Sequence, residues 1–551
     1  MLGINPVLPV LVVLSCVGLI YKRRGVGLAF FALGISATAL LMPALSIPDG
    51  IPSPAADLKN IVPWEQSIKD QGGNIALRDV THQMQPWFIF YRNELRQGRI
   101  PFWNPHQYSG YPLWTNGGTA PLFPLHFLFI VLPLQFAFIL LPWFKIVIGG
   151  IGVWYLAREL GLSERGSLLA CLIYPLSGLP VVWIYAPMGS ALALVPWALW
   201  AVERIASSKG GWQALSIVVA LQLLSGHPET VIHTAMLTGI YLLVRGSSDL
   251  LKSWRYYIFG WILGAALSAV YTIPFLYNMI QSGKWIYEPV NTQVPIIPHI
   301  KVLILWIRMV LPQFFGHPAF DTWWGAFDYN ASALYAGAIT IPLAACAIKY
   351  LWKDRRWIAV FALLVFSFWT AAMVPGPFTI LNSIPILNEV IYHRLRFGLI
   401  LTLALFAGLG LELWLRGKGR VMLSGSIVVV LVIVVAWIGL NGELVERGLL
   451  LNQIKWTIWV FGSVLLLTLT LLSGLKFRQL IWALLPLLIV IDLVMAHGRI
   501  NPGLSLSQFY PTTQATDFLK DKPGRVAGVG DAFHPNAAMI YGLYDIKGDD
   551  V

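Results

Sequence analysis

The chain has 551 residues, 57% of them hydrophobic and only 12% charged. Soluble domains carry roughly twice that charge, so a soluble globular protein is excluded. The net charge of +12 does not point to nucleic acid, because the Lys and Arg residues lie in small clusters between apolar runs, the pattern that sets membrane topology.

Apolar runs recur at 5–20, 25–45, 134–157, 167–187, 190–202, 211–225, 230–244, 256–277, 333–348, 357–374, 397–415, 421–440, 456–472 and 479–496. Many approach the roughly 20 residues needed to cross a hydrocarbon core of about 30 Å. They predict an all-α polytopic membrane protein of about 14 spans. The first run is followed by Lys22-Arg23-Arg24 with no small-residue cleavage site, so no cleaved signal is expected. Cys16, Cys171 and Cys346 lie inside apolar runs and read as small core residues. With the Lys22–Arg24 loop placed in the cytoplasm, alternation makes every inner loop basic. These loops carry Arg158 and Arg165; Arg204 and Lys209; Arg245, Lys252 and Arg255; Lys349, Lys353, Arg355 and Arg356; Arg416, Lys418 and Arg420; and Lys476 and Arg478. A multi-pass plasma membrane protein with its long loops outside the cytoplasm follows.

The outer side then receives 46–133, 278–332, 375–396, 441–455 and 497–551. The first is too long for a connector and too aromatic for disorder. Within it, 82–97 predicts an amphipathic helix lying on the membrane face, with Phe88, Tyr91 and Leu95 on one stripe and Arg92 and Arg96 beside it. A second surface helix is predicted over 298–311. From Arg499 the chain turns polar and reads as the start of a small α/β extracytoplasmic domain that continues past Val551. The expected division is a transmembrane unit over 1–498 and an outer segment over 499–551.

Familiar chemical motifs are missing. No Walker-type loop, His-Glu-x-x-His or cysteine cluster occurs. Charges inside the spans are scarce, Glu412 and Asp492 being the clearest, where a coupled transporter carries more. Asp79, just before the surface helix, is placed to act as a general base on a hydroxyl, to cap the helix, or to stand simply as a solvated loop acid. The run His393-Arg394-Leu395-Arg396 puts guanidinium groups at the outer boundary, suited to a phosphate or to lipid headgroups. In Gly226-His227-Pro228-Glu229 a tight turn explains the Gly and Pro, not the His and Glu. Gly-His-Pro recurs at Gly316-His317-Pro318. Asp321, Trp323, Trp324, Asp328, Tyr329 and Asn330 form a polar–aromatic group suited to a sugar face or to an interfacial belt. Asn330-Ala331-Ser332 also matches a glycosylation sequon.

Asp79, Gln83, Pro86 and Trp87, then Pro101-Phe102-Trp103-Asn104-Pro105, Gly110-Tyr111-Pro112 and Asn116, resemble the bacterial YfhO-like membrane protein family. So do Gly226-His227-Pro228-Glu229, Trp323 through Gly337, His393 through Leu411, and Asp492 through Arg525. Those proteins are similar to the GT-C glycosyltransferase superfamily. The resemblance implies a GT-C-like helix bundle and inverting transfer of a sugar from a polyprenyl-phosphate donor to a hydroxyl acceptor on the outer face. It implies Asp79 as base and Arg394, Arg396 and His393 as donor-phosphate ligands. His82, Asn104, Tyr108, Asn116, His227, Glu229, Asp328 and Asn330 are the further candidates for substrate and acceptor binding. The implied partners are the carrier-linked sugar, a cell-envelope polymer or glycolipid acceptor, and membrane lipids, with no nucleic acid. No cofactor is called for, and dependence on a divalent metal stays open. A lipid-linked saccharide translocator and a non-catalytic scaffold are the competing readings.

Overall fold

The computed structural model describes residues 4–21, 23–68, 73–281, 305–325, 328–471, 474–530 and 532–548. The protein is built mostly of helices. Four of them, Leu134–Glu159, Tyr392–Leu415, Met422–Leu440 and Leu450–Leu469, are long and apolar enough to cross a membrane. A fifth span arises if Leu250–Leu267 and Ala269–Ile280 count as one despite an 82° bend between them. Shorter apolar helices include Val7–Ile20, Arg24–Leu40, Trp212–Leu224 and Leu484–His497. The difference from about 14 spans lies partly in interruptions that an apolar run conceals. The run at 167–187 breaks at Ser177 into Glu164–Leu176 and Gly178–Val182, one residue after a helix that already contains Pro175.

Helix Leu134–Glu159 is central. It packs on Pro187–Ala206, Glu164–Leu176 and Arg24–Leu40. Helix Arg396–Leu415 packs on Glu164–Leu176, Thr340–Cys346 and Arg355–Ala371. One close approach fixes its position. A Cβ on Gly408 would lie 2.5 Å from the Gly166 carbonyl, and one on Gly166 would lie 2.7 Å from the Gly408 carbonyl. Lipid-immersed helices associate through such small-residue contacts, where backbones gain dispersion that bulkier side chains would block.

Two buried charges sit inside the bundle that sequence reading passed over. Lys145, in the middle of Leu134–Glu159, donates to the carbonyls of Ile184 (2.8 Å) and Ala186 (3.2 Å). The Ile184 carbonyl is open to it because the chain between Val182 and Pro187 is not helical, while the Ala186 carbonyl also accepts from the Gly189 N–H (3.0 Å). Glu203 accepts from Arg245 (2.9 Å), Tyr241 (2.7 Å) and Ser207 (2.7 Å). Among the expected intraspan charges, Asp492 is buried and accepts from Tyr335, Trp459 and the Ala338 N–H, each at 2.7 Å. Both of the clear sequence-level charges are therefore structural ties, because Glu412 likewise accepts from the Ser163 N–H at a helix start.

The last fifty residues fold against the first long loop. Gly50–Pro52 pairs antiparallel with Gly503–Ser505, Gly50 opposite Ser505. Trp64, fully buried, donates to the Tyr541 hydroxyl (2.7 Å) and packs on Tyr510 and Phe533. Tyr108 N–H donates to the Lys547 carbonyl (2.9 Å), and Ser109 N–H to that of Asp545 (3.1 Å). The helix expected over 82–97 is present as Gln85–Arg96, preceded by a wide π-turn at Val80–Met84. Its stripe is covered by protein: Phe88 stacks on Phe129 (4.7 Å), and Arg92 donates to the carbonyls of Phe129 and Leu132. The first half of the predicted surface helix over 298–311 lies outside the described residues. What is described there is a single 3-10 turn at Leu305–Met309.

Candidate active site

Asp79 stands at the entrance to the π-turn. It occupies the capping position, yet its side chain makes no capping hydrogen bond, and the residue is exposed. The cap alternative therefore does not account for it. The π-turn is held open by the C-terminal segment. Tyr510 hydroxyl donates to the Thr81 carbonyl (3.3 Å) and Asn536 to that of His82 (3.1 Å), taking up acceptors that a wide turn releases. His82 itself is buried beside Asp57 (Nε2 to Oδ2, 2.7 Å) and stacks on His534 (3.9 Å between rings).

A second carboxylate approaches Asp79 from a distant part of the chain. Asn330 donates to the Ala76 carbonyl at 2.5 Å, stapling the loop of Asp328 to the turn before Asp79. Enclosure by surrounding protein raises the Asp328 carboxyl above its ordinary range. The N–H groups of Asn330 and Ala331 and the charge of Arg308 oppose the rise, and the Asp79 carboxylate adds to it. Asp328 still meets solvent. Asn330 is 5% exposed, so its sequon is not presented to a glycosylating enzyme in the folded protein.

The cationic candidates divide. Arg394 donates to Glu229 Oε2 (2.6 Å), lies 3.3 Å from His227 Nε2 and sits over the Trp183 ring at 5.4 Å. Thus His227 and Glu229 form one cluster with Arg394, which lies 165 or more residues from either. Arg396 turns elsewhere: it is buried, donates to the Ala331 carbonyl and lies over Trp306. It is tied into the Asp328 loop rather than beside Arg394. The Gly-His-Pro turn is set by a backbone contact. Gly226 has φ +80°, and a Cβ there would lie 2.1 Å from the Gly117 carbonyl. The first loop is thereby pressed onto His227. Burial, and then the Arg394 charge, hold the His227 imidazole well below its usual range although the residue reaches the surface, which favours the neutral ring.

Asn104 and Asn116 serve their own turns. Asn104 Oδ1 accepts from the His106 N–H (3.0 Å), and Asn116 Oδ1 from the Gly118 and Thr119 N–H groups (2.6 and 3.3 Å). The dipeptides Asn-Pro and Asn-Gly carried that signal. Tyr108 is exposed with φ +52°, packed on Tyr111 at 5.8 Å. Arg308 was missed altogether. It is buried, stacks on Tyr329 (4.2 Å) and Trp323 (4.8 Å) and donates to the Tyr329 carbonyl (3.1 Å). Its charge acts on both Asp328 and Arg396, and the charges of Arg396 and Arg394 act on His393. A continuous electrostatic row therefore runs from Asp79 through Asp328, Arg308, Arg396 and His393 to Arg394.

Among the described residues there is no group of three or more His, Cys, Asp or Glu side chains set to hold a metal. The set nearest to one is the two carboxylates of Asp79 and Asp328 with Asn330 Oδ1, which is buried and has no partner among the described residues. It is an all-oxygen set, the kind hard divalent cations take.

Among solved structures, ArnT from Cupriavidus metallidurans bound to undecaprenyl phosphate is similar, at 12% identity and a TM-score of 0.46 over 95% of this chain and 85% of that one. The oligosaccharyltransferase of Archaeoglobus fulgidus, in complex with Zn and sulfate, is similar at 12% identity and 0.35, over 93% and 62%. The arabinofuranosyltransferase AftD from mycobacteria is similar at 15% identity and 0.33, over 73% and 28%. No curated protein matches the sequence. The family model described as bacterial membrane protein YfhO matches residues 64–525, so the chain belongs to the YfhO family of bacterial membrane proteins.

Proposed function

We propose that the protein is a membrane glycosyltransferase that moves a sugar from a polyprenyl-phosphate donor to a hydroxyl acceptor at the outer face of the plasma membrane. The observation that carries this reading is the row just described. An exposed carboxylate pair lies at one end and a partly enclosed guanidinium–imidazole cluster at the other, which are the two charges that displacement at a sugar phosphate requires.

Asp79 accepts the proton of the acceptor hydroxyl as its oxygen bonds to the anomeric carbon. The bond from that carbon to the phosphate oxygen breaks on the opposite face, and the electron pair leaves with the phosphate, so the configuration inverts. The leaving phosphate is already an anion and needs positive charge rather than a proton. Arg394, with His393 beside it, supplies that charge. Arg396 holds the loop of Asp328 through Ala331 and acts on the site from below. Asp328 sets the field at Asp79, and Asn330 fixes the two loops in register. A divalent cation would be held by Asp79, Asp328 and Asn330 and would supply Lewis-acid charge. Trp323, partly exposed and packed edge to face on the buried Tyr329 at 5.2 Å, supplies an aromatic edge for the sugar. The acceptor is a cell-envelope polymer or glycolipid, and membrane lipids surround the carrier tail.

The test is transfer of labelled sugar from synthetic polyprenyl-phosphate sugars by protein in nanodiscs, wild type beside Asp79→Asn. Release of label by wild type alone upholds both enzyme and base. Equal turnover by the variant removes Asp79 as base. No transfer by either across a broad panel of donors and acceptors favours the translocator or scaffold.

A further inference from the structure

The cluster at Arg394 contains a constraint on protons that sequence does not reveal. The Thr230 N–H points at His227 Nδ1 (3.2 Å), and the Thr230 hydroxyl lies 2.8 Å from the same atom. A backbone N–H can only donate, so Nδ1 must carry the lone pair, and in the neutral ring the proton is on Nε2. That Nε2–H faces Arg394 Nη1 at 3.3 Å. Two donors thus converge with no acceptor between them. Glu229 takes another proton of the same guanidinium from the side.

One turn deeper, His233 follows Glu229 by four residues and so shares its helix face. It is fully buried, within electrostatic reach of Arg394 and His227, and neither ring nitrogen has a partner among the described residues. Trp183, whose ring lies under the Arg394 guanidinium, also buries an Nε1–H without a partner among them. Buried polar groups are nearly always satisfied. The buried donors beside the Arg394–Glu229 pair can be met by an acceptor such as a phosphate oxygen.

We propose that His227, His233, Trp183 and Arg394 form a closed binding site for a lipid-borne phosphate, with His227 converted into a donor by the Gly-His-Pro turn. The phosphate oxygens take the protons of His227 Nε2, Trp183 Nε1 and Arg394, and His233 offers one donor and one acceptor to a further oxygen or its water. This assignment rests on the proposed transferase in placing the donor's phosphate here. It moves His227 from the acceptor side to the donor side and adds His233 and Trp183. The second Gly-His-Pro turn supplies a control. His317 Nδ1 accepts from the Ala319 N–H (3.1 Å) in the same manner, without an arginine in hydrogen-bond contact.

The experiment measures binding of geranylgeranyl phosphate and of the neutral alcohol geranylgeraniol to the full-length protein in nanodiscs. Asn is a good cap, so His227→Asn keeps the Thr230 bond and loses the reach to Arg394. Expected is a loss of roughly tenfold or more in affinity for the phosphate, none for the alcohol, and no change in Tm. His233→Leu is expected to weaken the phosphate in the same sense, and His317→Asn to leave it unchanged. Wild-type affinity in both His227→Asn and His233→Leu overturns the site. Displacement of the bound phosphate by phosphatidylglycerol identifies a headgroup as its source, and resistance identifies the carrier; the site stands in both cases. Selective loss of binding with no sugar transfer by wild type upholds the site and defeats the transferase. Transfer by wild type with unchanged affinity in the variants does the reverse.

Discussion

The Asp79–Asp328 end and the Arg394 end of the candidate site are built in opposite ways. The carboxylates stand on irregular loops, remain in contact with water and are positioned by backbone carbonyls and an amide, as in the Asn330–Ala76 bond. The cations stand in short 3-10 turns and are closed in by side chains: Arg394 by Glu229, His227 and Trp183, and Arg308 by Tyr329 and Trp323. A base must meet an acceptor arriving from water and keep its lone pair available. A phosphate site gains from a low local dielectric, where each charge-assisted bond is stronger, and must then balance its own cations when empty. Glu229 does that for Arg394.

Four substitutions test this contrast. The largest effect is expected from Asp79→Asn. Turnover should fall on the order of 10²–10⁴-fold, with prenyl-phosphate affinity unchanged, as measured by transfer and binding on one preparation. Next, Arg394→Ala should weaken prenyl-phosphate binding by roughly 1.5–3 kcal/mol. It also strands the Glu229 carboxylate. Part of any drop in Tm should therefore return in Arg394→Ala/Glu229→Gln while binding does not, a double-mutant cycle that separates ligand from partner. Asn330→Leu should cost about 1–3 kcal/mol through the unmet Ala76 carbonyl and lower both Tm and turnover. A loss of turnover with unchanged Tm would place Asn330 on substrate or metal instead.

The smallest effect concerns pH. The Asp328 carboxyl is raised in the folded protein. Its neutral form is therefore favoured by folding, and that contribution is present below the ordinary carboxylate range and lost as pH rises through the raised value. Asp328→Asn should accordingly raise Tm slightly at neutral pH and not in acid. The increment should shrink in an Asp79→Asn background, where the repulsion is gone.

Individual members of the site were legible in the sequence because they violate local expectation. Arg394 lies at the wrong boundary for a topological charge, and Glu229 lies in a turn that needs only Gly and Pro. Their pairing was not legible, since nothing local links residue 229 to residue 394. Arg308 escaped notice in a stretch read as an apolar surface helix, and Lys145 because a single charge barely alters a long apolar run. Asn104 and Asn116 were drawn toward substrate by the family pattern, where turn chemistry gives a sufficient reason for both. Helix content followed from hydropathy. Helix length did not, because breaks such as that at Ser177 depend on what the neighbouring segment offers to the freed backbone groups, as the Tyr335 carbonyl does to the Gly178 N–H (3.0 Å).

The pairing of Gly50–Pro52 with Gly503–Ser505 has a temporal meaning. During synthesis the first long loop emerges early, but its strand partner arrives about 450 residues later. At roughly 5–20 residues per second, the loop waits on the order of half a minute or more before Trp64 can bury against Tyr541 and the Thr81 carbonyl can meet Tyr510. The turn beside Asp79 thus waits for Tyr510 and Asn536, which are made more than 400 residues after it.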